Sequence, residues 1–173
     1  MPHFAALPFT LQRNKDVIAG KEIPSTRETV HGLLRLDAAC VLVQWRTSRA
    51  IDRVGSEIRS DSEVESVREL SLPLSALAGA EVRWSRLPWR GGRLVLTGAD
   101  LRAFEDLAGK EGLQLKHPAQ FEIRVARASR FAALEFVSEL ELALADRALR
   151  VAENAQLQGD TGRPPLLDPP KHS

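Results

Sequence analysis

Phe121-Glu122-Ile123-Arg124-Val125, running through Ala126-Arg127-Ala128 into Ser129-Arg130-Phe131-Ala132, is the stretch that decides the fold. Its first five residues alternate apolar and polar, the period of a strand with one buried face. Beyond Ser129 the period changes. Phe131, Leu134, Val137, Leu140 and Leu144 recur at spacings of three and four, which predicts an amphipathic helix with those five as its buried stripe. Their burial would contribute roughly 7–15 kcal/mol gross, an upper bound because the unfolded chain is already partly compact. Glu135, Glu139, Asp146 and Arg150 take polar positions, and the helix is expected to end between Arg150 and Asn154.

Upstream of this ending the chain reads as strands. Gly32-Leu33-Leu34-Arg35-Leu36 and Val41-Leu42-Val43-Gln44-Trp45 flank Asp37-Ala38-Ala39, a hairpin pattern. Val41, Val43, Trp45, Thr47 and Ile51 share one face of the second strand, with Gln44, Arg46 and Ser48 on the other. Residues 55–65 are polar and read as a loop. A strand is expected over 66–72, stopped by Pro73, which cannot donate to a ladder. Ala80–Arg86 and Arg93–Thr97 form a further hairpin around Gly91-Gly92, with Val82 and Trp84 facing in and Arg83 and Ser85 facing out. The glycine pair is expected to supply the positive φ of a tight reversal. Asp100 is a candidate cap for a short helix through Leu107, and Leu113–Lys116 a candidate strand before Pro118.

The 173 residues suit one domain with tails: an N-terminal arm over 1–28 with a short strand near Phe9–Leu11, a domain over 29–154, and a Pro-rich disordered tail over 155–173. A hydrophobic share of 43% with 27% charged residues is that of a soluble chain able to bury a core. The net charge of +1 gives no global pull toward nucleic acid or anionic membrane, so any such attraction must be local. A lone cysteine, Cys40, excludes an intramolecular disulfide and a CxxC motif. No apolar run approaches the ~20 residues of a membrane span, and the start lacks the basic and apolar regions of a signal peptide. A cytoplasmic location is the resulting expectation.

The order of strands and a single closing helix resembles the pleckstrin-homology-like superfold, most closely its small bacterial domains. The residues that carry the resemblance are Gly32–Trp45, the step Leu72-Pro73-Leu74-Ser75-Ala76-Leu77, and the Arg-containing turn from Val125 to Ala132. It covers about residues 30–152 and implies an α+β, mostly β fold: two near-orthogonal antiparallel sheets forming a barrel, capped by one C-terminal amphipathic helix. Two features depart from the family. The first hairpin loop, Asp37-Ala38-Ala39 with only Arg35 near it, lacks the basic cluster of phosphoinositide-binding members, and the helix offers Phe131 and Phe136 where eukaryotic members usually carry tryptophan. The fold is carried over and the phosphoinositide function is not.

Between Glu81 and Arg93 the chain places Arg83, Arg86, Arg90 and Arg93 against one acid, with Trp84, Leu87 and Trp89 interleaved. Guanidinium groups fork onto phosphate or carboxylate, and Trp and Arg are the side chains that anchor protein interfaces. Arg83, Arg86, Trp89, Arg90 and Arg93 are therefore the candidate partner-binding residues, while Trp84 is expected in the core. His3, His31, His117 and His172 show no metal-ligand spacing, and His117 beside Pro118 reads as a turn residue. Cys40 reads as a small buried hydrophobe, and a Cys40–His31 catalytic pair is the enzyme alternative. No phosphate-binding, dinucleotide or nucleophile-elbow motif occurs in the chain. The expectation is a non-catalytic interaction module without cofactor or metal, binding a protein partner or its own copy. The alternative is an anionic ligand, lipid headgroup or nucleic acid, held by the 81–93 hairpin.

Overall fold

A computed structural model describes residues 5–16, 24–53, 59–87, 90–108, 113 and 115–159. Among them lie eight strands: β1 (Ala6–Asp16), β2 (Pro24–Leu36), β3 (Cys40–Arg53), β4 (Arg59–Val64), β5 (Arg68–Pro73), β6 (Leu77–Trp84), β7 (Gly92–Gly98) and β8 (Gln120–Val125). A four-residue helix, α1 (Glu105–Ala108), precedes β8, and a 30-residue helix, α2 (Arg130–Gly159), closes the described chain. All strand pairings are antiparallel, in the order β4-β3-β2-β1-β8-β7-β6, with β5 also on β3.

Strands β4 and β5 behave as one strand broken in the middle. β5 pairs with Cys40–Trp45 and β4 with Ser48–Arg53 of the same β3. At the break the Glu65 N–H donates to the Thr47 carbonyl at 2.9 Å, and Glu65 pairs with Arg68 at 3.2 Å. The polar run read as a loop thus contains β4. Its backbone pairs on the sheet edge and does not need an apolar face to do so, which is why alternation missed it.

Residues 1–28, read as an arm, contain β1, which sits inside the sheet between β2 and β8. Leu7 and Phe9 of β1 are buried, and the Phe9 ring lies directly over Gly32 of β2. A Cβ at Gly32 would fall 2.1 Å from that ring, so the glycine is set by close approach. The same holds at the second hairpin. No positive φ occurs at Gly91 or Gly92, contrary to the sequence expectation. A Cβ at Gly91 would meet the Val125 carbonyl at 2.1 Å, and one at Gly92 the Trp84 ring at 2.7 Å.

The core follows the alternation. Val41, Val43, Trp45 and Thr47 of β3, Leu94 and Leu96 of β7, and Phe121, Ile123 and Val125 of β8 are buried, while Arg46, Arg93 and Arg124 between them are exposed. The side chain of Ile51 lies outside the described residues. Phe121 joins Phe9 edge-to-face at 6.2 Å and Phe104 at 6.3 Å, which ties the sheet centre to the segment before α1. That segment is mostly turn: Asp100 accepts from the Arg102 N–H at 2.7 Å, and helix proper begins only at Glu105. The strand expected at 113–116 is not formed by its described residues. Leu113 is buried, and His117 makes one bridge to Gln120 while its Nδ1 accepts from the Ala119 N–H at 3.1 Å, a turn role.

Helix α2 corrects the expected stripe. It packs chiefly on β6, with contacts to β1 and β2. Its buried residues are Ala133, Phe136 and Leu140, with Val137, Ala143 and Leu144 half-buried beside them. Phe131 is 84% exposed and Leu134 43% exposed. The reason lies in the entry to the helix. A single 3-10 turn over Arg127–Ser129 sets its first residue at Arg130, and that phase turns Phe131 outward and Phe136 inward. Spacing alone does not fix the phase when apolar residues populate both faces. α2 also continues to Gly159, past the expected end; the tail from 160 lies outside the described residues.

Candidate interaction surfaces

The 81–93 hairpin is formed as expected, with β6 and β7 paired from Leu77↔Gly98 to Trp84↔Gly92. Trp84 faces inward. Its ring covers Gly92, packs against the core and carries the Arg130 guanidinium 5.7 Å from the ring centroid. Trp89, the expected contact residue, lies outside the described residues.

The four arginines divide into two kinds. Arg83 donates from Nε and a terminal nitrogen to the two oxygens of Glu81, at 2.7 and 2.9 Å. That fork holds the Glu81 carboxyl below its ordinary titration range and Arg83 above its own, the side-chain hydrogen bond being the main cause in each. Both groups are fully exposed, so the pair adds little to stability. Arg93 reaches Glu122 at 3.5 Å, and Lys116 shares that carboxylate at 3.4 Å. Arg86 and Arg90 are exposed on the turn, and no ion pair with another described residue involves them. The turn itself is held by Leu87 N–H to Ser85 Oγ at 3.2 Å and Arg90 N–H to the Leu87 carbonyl at 3.1 Å.

The enzyme alternative gains no geometry. Cys40 sits at the start of β3 and His31 is paired with Arg46, six register positions away from the end of the hairpin that holds Cys40. Six residues of strand span about 20 Å, far beyond a hydrogen bond. Glu135 is exposed and Glu139 half-buried at the rim of the packed face. Among the described residues no three His, Cys, Asp or Glu side chains converge as a metal site.

Two further surfaces lie along α2. One is a half-open groove of about 340 Å³ between the β2–β3 loop and α2, lined by Ala38, Ala39, Leu74, Ala143, Arg147 and Arg150 among others. The other is the outward face of α2. Phe131, Leu142 and Leu149 fall within about 20° of one another around the helix and about 180° from Leu140. Leu142 and Leu149 are each 63% exposed, and every described side chain from Ala145 to Leu157 is exposed. The sequence signal for that second stripe, a Leu142–Leu149 heptad step with Ser138, Ala145 and Ala152 beside it, was present but masked by the first. No helix among the described residues is long and apolar enough to cross a membrane.

Comparison with models of protein families, with curated proteins and with solved structures finds no match to this chain.

Proposed function

We propose that the chain is a non-catalytic interaction module of pleckstrin-homology-like architecture that pairs with a second copy of itself through the outward face of α2. Support for the architecture is the strand order: counting β4 and β5 as one broken strand gives a four-strand and a three-strand antiparallel meander, joined where β1 meets β8, with a helix last.

The observation that carries self-association is the doubly apolar helix. One face is consumed by the sheet, and the opposite one presents Phe131, Leu142 and Leu149 to solvent over a helix that outruns its support. Fifteen residues from Ala145 to Gly159 would be marginal as an isolated helix in water. A second copy is the favoured occupant because the seam is nearly symmetric about Ala145. Leu142 and Leu149 lie three and four residues to either side, and Ser138 and Ala152 seven. An antiparallel partner therefore sets Ala145 over Ala145 and Ser138 over Ala152, and brings Leu142 of each copy to within one residue, about 1.5 Å along the axis, of Leu149 of the other, as a two-fold isologous contact allows.

Sedimentation equilibrium tests this. The wild type is expected at twice its 19.1 kDa chain mass. A Leu142→Glu/Leu149→Glu variant is expected at the monomer mass with its circular dichroism spectrum retained. A wild type that stays monomeric across the micromolar range overturns the reading.

A further inference from the structure

The strand registers align basic side chains that are far apart in sequence. Arg83 of β6 lies opposite Arg93 of β7, Arg93 opposite Arg124 of β8, and Arg124 opposite Thr10 of β1. Thr10 in turn pairs with His31 of β2, and His31 with Arg46 of β3. One cross-strand row thus holds four arginines and a histidine over six adjacent strands. Its span is about 24 Å at the usual strand spacing.

All of these side chains point away from the core. Arg93, Arg124 and Arg46 each sit between two buried residues, and Arg83, Arg93, Arg124, His31 and Arg46 are exposed. Like charges placed directly opposite in a sheet destabilise it, so the Arg83–Arg93–Arg124 run is not there for the fold's sake. Carboxylates relieve only part of the row. Glu81 engages Arg83, and Glu122 is divided between Arg93 and Lys116. Arg124 and Arg46 form no ion pair with another described residue.

We infer that this outer sheet face is a binding surface for the phosphodiester backbone of single-stranded nucleic acid, lying along the row from β6 to β3. It is separate from the α2 face and does not depend on self-association. The ligand must be narrow: Glu81, Glu122 and Glu69 share the outward side of the sheet next to the row, so a broad anionic surface such as a bilayer would meet them as well. Along one flank the outward positions are Glu81, Val95, Glu122, Gln12, Thr29 and Ser48, where the half-buried Val95 is the single apolar side chain and too small a seat for a peptide side chain or a lipid tail. What remains is contact of guanidinium forks with phosphate oxygens, without base readout.

The test is fluorescence anisotropy with a labelled 20-nucleotide single-stranded DNA between 25 and 200 mM NaCl. Each phosphate contact on a single strand contributes a slope of about −0.7 to log K against log salt. Two unpaired arginines set a lower bound of about −1.4, and the full row of four about −2.8. The variant Arg46→Gln/Arg124→Gln is expected to fall to a slope shallower by about 1.4, and to bind about tenfold more weakly at 50 mM NaCl. Either single variant should give about half that loss, and Arg86→Gln/Arg90→Gln at the hairpin tip should bind like wild type. Circular dichroism melting controls for folding. Absence of binding at 25 mM NaCl overturns the inference, as does an unchanged Arg46/Arg124 variant. So does loss of binding confined to the hairpin-tip variant. Competition by polyglutamate as strong as by oligonucleotide of equal charge would assign the row to an acidic protein instead.

Discussion

Exchanging the two helix phenylalanines separates the two possible phases of α2 by a large margin. Phe136 is fully buried between α2 and the sheet, whereas Phe131, five residues earlier, is 84% exposed. Phe136→Ala removes a whole ring from a close-packed interior, and cavities of that kind cost about 3–5 kcal/mol. Phe131→Ala removes a ring that touches mainly water, and its effect on the isolated fold should stay within about 0.5 kcal/mol. For a chain of this size each kcal/mol moves the melting midpoint by about 2–4 °C, so Phe136→Ala should melt at least 6 °C lower and Phe131→Ala within about 2 °C of wild type. Urea unfolding followed by circular dichroism gives the same comparison in free energy. It should be run below micromolar concentration, because Phe131 also lies on the proposed self-association face. Equal destabilisation by the two substitutions, or a larger loss from Phe131→Ala, would falsify the observed phase and restore the one that spacing suggests.

Three further outcomes are expected. Gly32→Ala sets a Cβ 2.1 Å from the Phe9 ring and should destabilise by about 1–3 kcal/mol through overpacking; in a Phe9→Ala background the same change should cost clearly less, and additive losses would contradict the contact. Glu81 should titrate below the ordinary glutamate range by NMR and return to it in Arg83→Ala. Since its folded-state pKa is depressed, any stability the pair gives is present above the unfolded-state value and lost as pH falls through the folded one, so an Arg83-dependent advantage that appears only in acid, below the folded-state value, would contradict the assignment. Gly91→Ala drives a Cβ into the Val125 carbonyl, which is backbone and cannot swing aside; weakened β7–β8 pairing, seen as faster amide exchange at Gly92 and Arg93, is the expected readout, and wild-type protection there would count against the close approach.

The β content, the two hairpins, the final strand and the closing helix could all be read from alternation, turn residues and the change of period at Ser129. What escaped depended on quantities the local pattern does not carry. β4 is held by backbone pairing on a polar edge, so its side chains show no alternation to detect. The phase of α2 is set by a three-residue turn whose rotation decides between Phe131 and Phe136. Gly91 and Gly92 were legible as turn residues, but the steric demand comes from Val125 and Trp84, the first of which is distant in sequence. The candidate site divided similarly. Arg83 and Arg93 stand opposite one another because the hairpin is local, so their clustering was visible. Their alignment with Arg124, His31 and Arg46 is a matter of long-range register, which one strand's sequence does not specify.

Cross-linking at the two-fold tests self-pairing most directly. With the sole native cysteine removed by Cys40→Ser, Ala145→Cys places a thiol at the centre of the proposed antiparallel seam, and Val151→Cys places one about 160–180° from Leu142 and Leu149 on the same exposed helix segment. Mild oxidation should give a disulfide-linked dimer rapidly and nearly completely for Ala145→Cys, and slowly or not at all for Val151→Cys. Equal rates at both positions, or no cross-link at residue 145, would contradict pairing through the outward face of α2.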